Sequence, residues 1–572
     1  MQTVNIKING RPATVPEGST ILQAAESVGI TIPTLCHHPD QKVKGVCRVC
    51  LVEIAGQRLL QPACSYPVYT GMEISTVSRS VREARQTMLE LILAAHPQDC
   101  LQCVRNLNCE LQSITRDLNI KDTPFDRQVR TAKGDRSTTS IVRNPDKCIN
   151  CRRCIDACRE VQGIGLLYTQ GRGKSTVVQT EMEKDLAEIP CVLCGQCLQA
   201  CPVGAISEVD ETERVWEALE NPAKHVVVQT APAIRVAIGE EFGLPPGSVV
   251  TGQLVSALRM LGFDAVFDTD FTADLTIIEE GHEFIDRLTN KGKLPMITSC
   301  SPGWIKYIEH RFPGHLDHLS TCKSPQQMFG ALAKTYYAKR MGLKAEDIYV
   351  VSIMPCTAKK FEAARPEMNA SGHRDVDAVL TTRELSRMLK QSGINWSNLP
   401  DSAYDDPLGI STGAGVIFGA TGGVMEAALR TVYEVVTGCQ LSDINFAAVR
   451  GMQGIKEADV VVGDLTVKVA VAHGLANARQ IMDQIVAGSS PYHFIEIMCC
   501  PGGCIGGGGQ PIPTTNAIRE KRIGATYQAD ADMTLRQSHH NPAVACLYEE
   551  FLKRPLSHTS HELLHTHYQP RK

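Results

Sequence analysis

The chain has 572 residues, 43% of them hydrophobic and 21% charged, which excludes disordered, collagen-like and fibrous classes; at roughly 150 residues per domain it is modular. A formal charge of -4 and the lack of a long Lys/Arg run argue against a nucleic-acid surface. No stretch reaches the roughly 20 apolar residues of a membrane span. The start has no charged n-region, apolar core or twin arginines, so a cytoplasmic location is expected. That leaves 23 cysteines to explain. Where thiols stay reduced, such a count points to metal ligation rather than disulfides.

Fifteen of these cysteines lie between Cys36 and Cys201 and eight beyond, so the chain has two unlike halves. Residues 1–80 open with alternating Val4, Ile6 and Ile8, then Asn9-Gly10, then Ala13 and Val15, which reads as two strands joined by a tight hairpin. A helix follows, capped by Ser19 or Thr20, with Ile21, Leu22, Ala24, Ala25 and Val28 as its apolar face. Cys36, Cys47, Cys50 and Cys64 come next, spaced C-x10-C-x2-C-x13-C. The C-x2-C pair is shared with zinc ribbons. The long first spacing, in a loop after a helix, resembles a plant-type 2Fe-2S ferredoxin, a β-grasp module.

Residues 81–125 carry His96-x3-Cys100-x2-Cys103-x5-Cys109 behind an apolar helical run of Met88, Leu89, Leu91, Ile92 and Leu93. The histidine supplies the fourth ligand that three cysteines lack, giving a one-histidine, three-cysteine site for a 4Fe-4S cluster. A neutral imidazole in place of a thiolate raises the potential of such a cluster, which suits a branch point in an electron chain. Residues 139–210 hold Cys148-x2-Cys151-x2-Cys154-x3-Cys158 and Cys191-x2-Cys194-x2-Cys197-x3-Cys201-Pro202. This repeat marks a bacterial 2[4Fe-4S] ferredoxin-like module, in which the fourth cysteine of each run ligates the other cluster. One cluster then takes Cys148, Cys151, Cys154 and Cys201, and the other Cys191, Cys194, Cys197 and Cys158. The spacings together imply one 2Fe-2S and three accessory 4Fe-4S clusters.

From residue 222 to 572 short apolar strands alternate with amphipathic helices: His225-Val226-Val227-Val228, Ala265-Val266-Phe267, Val350-Val351-Ser352-Ile353 and Val469-Ala470-Val471. That pattern predicts an α/β catalytic domain with largely parallel sheets. Gly413-Ala414-Gly415-Val416-Ile417-Phe418-Gly419 has one residue too many for a dinucleotide fingerprint, and no P-loop is present. His561-Glu562-Leu563-Leu564-His565 spells the zinc-peptidase motif without its context and is expected to be a surface helix.

Three segments carry the chemistry: Thr298-Ser299-Cys300-Ser301-Pro302-Gly303-Trp304, Met354-Pro355-Cys356-Thr357-Ala358-Lys359-Lys360-Phe361-Glu362, and Met498-Cys499-Cys500-Pro501-Gly502-Gly503-Cys504-Ile505-Gly506-Gly507-Gly508-Gly509-Gln510-Pro511. Together they closely resemble the three signatures of the FeFe-hydrogenases (iron-only hydrogenases), and the upstream cluster order resembles the long clostridial-type members. The resemblance implies an H-cluster, a 4Fe-4S cubane joined through a cysteine to a two-iron azadithiolate centre with CO and CN. It implies Cys356, Cys500 and Cys504 as cubane ligands, Cys504 being shared with the diiron part. Lys359 would donate to a cyanide, and Met354 and Met498 would pack against the diiron unit. Cys300 would relay protons through Glu280, Ser320, Glu283 and Arg287. Glu280, Glu283 and Arg287 lie on one face of a helical stretch.

The first signature departs from the family's paired cysteines, since Ser301 stands at the ligand position. Three assignments fit: Cys300 ligates, Ser301 ligates, or Cys499 or Cys322 completes the cubane. Ala233 is a second departure, at a position where many members have serine. The implied reaction is reversible 2H+ + 2e- to H2, with electrons passing through the accessory clusters. Expected partners are H2 and protons, ferredoxin or a flavoprotein/NAD(P)-handling subunit, and maturation proteins for the diiron centre. Alternatives are a sensory member of low turnover, an electron-transfer or assembly relative without the diiron centre, and the catalytic subunit of an NAD(P)- or formate-linked complex.

Overall fold

The computed structural model describes residues 2–127, 133–463 and 465–571; Met1 and Lys572, the outer ends of the expected first and last domains, lie outside the described residues. The first strands, Thr3–Ile8 and Arg11–Pro16, pair antiparallel. Asn9 and Gly10 both take positive φ, 49° and 78°, as a two-residue hairpin turn requires. Thr20, rather than Ser19, caps the helix Ile21–Ser27 and forms a capping box with Gln23. The hairpin joins Glu73–Ser75, Leu51–Ile54 and Gln61–Pro62 in a five-stranded sheet. Val4, Ile6, Ile8 and Ile21 are buried beneath it.

The apolar run around Leu89 forms the helix Arg79–Ala94, and Glu110–Asp117 is the second helix of that module. In the next module Ile141–Arg143 pairs antiparallel with Ile206–Glu208. The sequence repeat is also a repeat of backbone. Arg152, with φ of 65°, precedes the short helix Arg153–Asp156, and Gly195, with φ of 71°, precedes Gln196–Ala200. Left-handed residues between the cysteines fold each run back on itself, so that its thiols converge.

The catalytic half is built on two four-stranded sheets. In one, Ala265–Asp268, His225–Thr230, Ile348–Met354 and Ala378–Thr381 all run parallel. Their near-continuous Val and Ile content follows from burial on both faces. In the other, Met296–Ile297, Phe494–Met498 and Leu465–His473 are parallel, and Ile455–Val462 closes the edge antiparallel. The long helix Thr269–Thr289 begins at Asp268, whose side chain accepts from the Asp270 N–H. Among the described residues, no helix is long and apolar enough to cross a membrane.

Candidate functional site

Each of the three signatures begins where a parallel strand ends. Cys300 follows Met296–Ile297, Cys356 follows Ile348–Met354, and Cys499 and Cys500 follow Phe494–Met498. Open parallel sheets place ligands in the crevice beyond their carboxyl ends, and here both sheets present those ends to one cavity. Its empty space, counted with the part open to solvent, is about 780 Å³, and it is lined by Cys194, Cys300, Ser301, Cys356, Cys499, Cys500 and Cys504 together with Lys359, Met354 and Met498. Met354 and Met498 are buried, and Ala231 and Pro232 line the wall beside them. Ala233 is not at that wall and packs near Ala420 and Cys504.

Lys359 supplies the ammonium. Its Nζ donates to the Cys300 carbonyl at 3.2 Å and to Glu362 Oε2 at 2.9 Å, which leaves a third N–H. Burial, and then the neighbouring Glu280 charge, push the Cys300 thiol well up. Burial and the Cys500 charge push Cys504 up to about 12. Six thiols line this apolar cavity without a disulfide. Burial favours the protonated form of Cys300, Cys356 and Cys504, a hydrogen bond from Cys499 favours the thiolate of Cys500, and metal binding would ionise such a donor set. The residues present therefore fit an iron-sulfur group.

The accessory cysteines also gather in groups. Cys148, Cys151, Cys154 and Cys201 line one pocket. Cys158, Cys191 and Cys194 each act on the Cys197 thiol. In the first domain Cys36 hydrogen-bonds Cys47, and Cys50 hydrogen-bonds Cys64. His96, Cys100 and Cys109 share a pocket, whereas Cys103 turns toward Gly204 and Lys147. The module bearing Cys191–Cys201 is fastened to the third signature. Gln196 Nε2 donates to the Gly506 carbonyl at 2.9 Å and Gln199 Nε2 to that of Gly507 at 2.6 Å. Thr357 Oγ1 donates to the Leu193 carbonyl at 2.7 Å.

A buried acid path leads away from Cys300. Glu280 and Glu283 lie on the helix Thr269–Thr289. Burial, and then the Glu283 charge, push the Glu280 carboxyl up to about 8, with a Ser320 hydrogen bond opposing. Ser320 Oγ donates to Glu283 Oε2 at 2.9 Å. Arg287 donates to Glu283 Oε1 at 2.6 Å and to the Leu319 carbonyl at 2.7 Å.

Two expectations are corrected. Cys322 does not reach the cavity: it is buried against Glu283, with Sγ 3.9 Å from Oε2. The segment from His561 to His565 is not simply a surface helix. The helix His558–Leu564 buries Leu563 and Leu564, and His565 is buried behind it, its Nε2 3.2 Å from Glu279 Oε2 and its Nδ1 2.8 Å from Thr321 Oγ1. Glu562 points to solvent, so the peptidase geometry is absent. Glu279, which the sequence did not single out, accepts from the Tyr548 hydroxyl at 2.6 Å. Gly413 and Gly415 press against Asp530 and Asp270 in a packed helix, not a phosphate loop.

Comparison with known proteins agrees with this construction. Residues 224–508 match the family "Iron only hydrogenase large subunit, C-terminal domain", and residues 516–571 match "Iron hydrogenase small subunit". Upstream, residues 1–79 match a 2Fe-2S cluster-binding domain, 85–124 the iron-sulfur binding region of NADH-ubiquinone oxidoreductase-G, and 147–205 a 4Fe-4S dicluster domain. The chain is 51% identical to the NADP-reducing hydrogenase subunit HndD of Solidesulfovibrio fructosivorans, covering 100% of both chains. It is 40% identical to iron hydrogenase 1 of Clostridium pasteurianum over 99% of each. A solved structure, described as "Stepwise [FeFe]-hydrogenase H-cluster assembly revealed in the structure of HydA(deltaEFG)", shares 45% identity at a TM-score of 0.58, covering 63% of this chain and 99% of that one. With matches of this extent on both halves, the chain belongs to the iron-only, or FeFe-, hydrogenases.

Proposed function

We propose that this hydrogenase holds an H-cluster in the cavity at the strand ends, with its cubane on Cys356, Cys500 and Cys504 and its diiron part beside Met354, Met498 and Cys300. The observation that carries the reading is one apolar cavity shared by these thiols, the two methionines and Lys359. When bound, the group supplies an iron that polarises H2 and an amine that takes the proton. The chain does the rest. Met354, Met498 and Phe418 keep water from the cavity. The third N–H of Lys359 serves an anionic ligand. The Cys300 thiol holds the proton between cavity and relay, and Glu280, neutral near pH 7, passes it toward Ser320, Glu283 and Arg287.

The ligands named above over residues 139–210, 81–125 and 1–80 would hold the accessory iron-sulfur clusters, which when bound would supply the route for single electrons between the cavity and a partner. Infrared bands of metal-bound CO and CN in protein matured with the diiron machinery, together with H2 evolution, test the reading. Matured protein without those bands defeats it.

A second observation favours a complex. The full-length likeness to a subunit named for NADP reduction goes with a chain that has no dinucleotide fingerprint of its own. We infer that nicotinamide chemistry resides on a flavoprotein partner in the cytoplasm, and that electrons reach it through the N-terminal clusters. Purification of the chain alone, with full activity toward ferredoxin and none toward NADP in any co-purified assembly, would sink that part.

A further inference from the structure

The cubane of the proposed site needs four protein ligands, and at the family's four ligand positions the signatures have Cys356, Cys500, Cys504 and Ser301. We propose that Cys499 is the fourth ligand and that Ser301 supports it without binding iron, an inference that rests on the H-cluster reading above.

Four observations carry it. First, Ser301 already has a role: its Oγ accepts the backbone N–H of Cys499 at 3.2 Å. As a ligand it would have to lose a proton that a thiol gives up far more readily. Second, the Cys499 thiol is in the right place. It lines the same cavity as Cys356, Cys500 and Cys504 and hydrogen-bonds the thiols of Cys194, on the docked module, and of Cys500. Adjacent residues of a strand point to opposite faces, but the strand Phe494–Met498 has ended, and the bend at Cys499 and Cys500 turns both thiols inward.

Third, the packing separates Cys499 from Cys300. Cys300 packs with Met498 and Phe418 on the side of the Glu280 relay. Cys499 packs with Val192, Trp304 and Cys194, on the side where the 2[4Fe-4S] module docks and electrons arrive. Cys300 is thereby left to the proton and Cys499 to the cubane. Fourth, room for the thiol comes from the first signature itself. A Cβ at Gly303 would lie 2.6 Å from Cys499 Sγ, so glycine two residues after Ser301 is what admits this sulfur. The serine and the extra cysteine are then one exchange: the ligand has moved from the first signature to the third.

The test uses the full chain with its accessory clusters, read by iron content and by the Mössbauer and EPR signals of the cubane as well as by activity. Cys499→Ala is expected to lose about four irons per chain with the cubane signal, while the accessory-cluster signals remain. Ser301→Ala is expected to keep both iron and signal. If Cys499→Ala fails to fold, the double variant Cys499→Ala/Ser301→Cys decides, because a cysteine at the usual family position should restore the cubane. Cys499→Ala with wild-type iron and cubane signal overturns the assignment. So does loss confined to accessory clusters, a cubane lost in Ser301→Ala, or a double variant without it. Wild-type protein without CO and CN bands would instead sink the H-cluster reading itself.

Discussion

Ser320 Oγ donates to Glu283 Oε2 at 2.9 Å, joining a buried hydroxyl to a buried carboxylate whose other oxygen accepts from Arg287. With the Ser320 hydrogen bond to Glu280, this bond links Glu280 to Glu283 and Arg287 through side chains, as the proposed relay requires. Glu283→Gln keeps the volume but removes the charge that Arg287 and Ser320 hold in place. Turnover should fall by about 100-fold or more, the usual range for a lost proton-transfer group. Accessory-cluster EPR and CO/CN bands should be unchanged. Near-wild-type turnover would mean that Glu283 and Arg287 are only a structural ion pair.

Glu280 gives a pH-dependent stability whose sign is fixed. Its carboxyl titrates near the ordinary value of 4.5 when exposed and at about 8 in the folded chain, chiefly because it is buried. Between those values the folded form keeps a proton that the unfolded chain has released. Its contribution is therefore complete below about 4.5 and is lost progressively as pH rises through about 8. Glu280→Gln has no such proton. The stability of this variant relative to wild type should increase by a few kcal/mol from pH 5 to pH 8.5 and then level off. Thermal unfolding, or hydrogen exchange in the helix Thr269–Thr289, measured across that range reads the difference. A flat difference would contradict the burial argument.

Lys359 and Glu362 form a buried pair at 2.9 Å, and Glu362 is also held by Ser324 and Gln326. Removing one partner leaves a charge in an apolar surround at a cost of about 3–5 kcal/mol. Lys359→Met should therefore destabilise the protein, and Lys359→Met/Glu362→Gln should recover most of the loss. Neither should recover diiron loading, because the ammonium facing the cavity is missing from both. Double-variant protein that regains CO and CN bands would show that Lys359 matters only through Glu362.

The local features were legible in the sequence. Cysteines with two residues between them converge because a left-handed residue there, Asn150 or Arg152, folds the loop, so spacing alone groups Cys148, Cys151 and Cys154. Short apolar strands alternating with helices point to the parallel sheets, and the signatures sit where those strands end at one crevice. Contacts across long separations carried no such sign. His565 meets Glu279 across 286 residues, and the five residues from His561 to His565 suggest a solvent-facing helix because Glu279 leaves no trace beside them. Cys322 looked like a spare ligand for the same reason: its neighbour Glu283 is remote in sequence. Ser320 has no spacing to Glu283 that would single it out, and only the family resemblance pointed to it.

The docking of the 2[4Fe-4S] module on the third signature depends on two glycines in contact. A Cβ at Gly508 would press on the Cys194 carbonyl oxygen and lie 2.7 Å from Gly195 Cα. Backbone against backbone cannot yield by a side-chain rotation, so Gly508→Ala must move the loop that carries Cys194. A shift of about 1 Å is the scale at which misplaced reacting groups lose about 100-fold in rate. H2 evolution driven by a reduced electron carrier should slow by about tenfold or more. Exchange of H2 with deuterated water at the cavity needs no electron from outside and should keep most of its rate. Equal loss of both would place the damage in the cavity, and loss of neither would mean that the two backbones are not in contact.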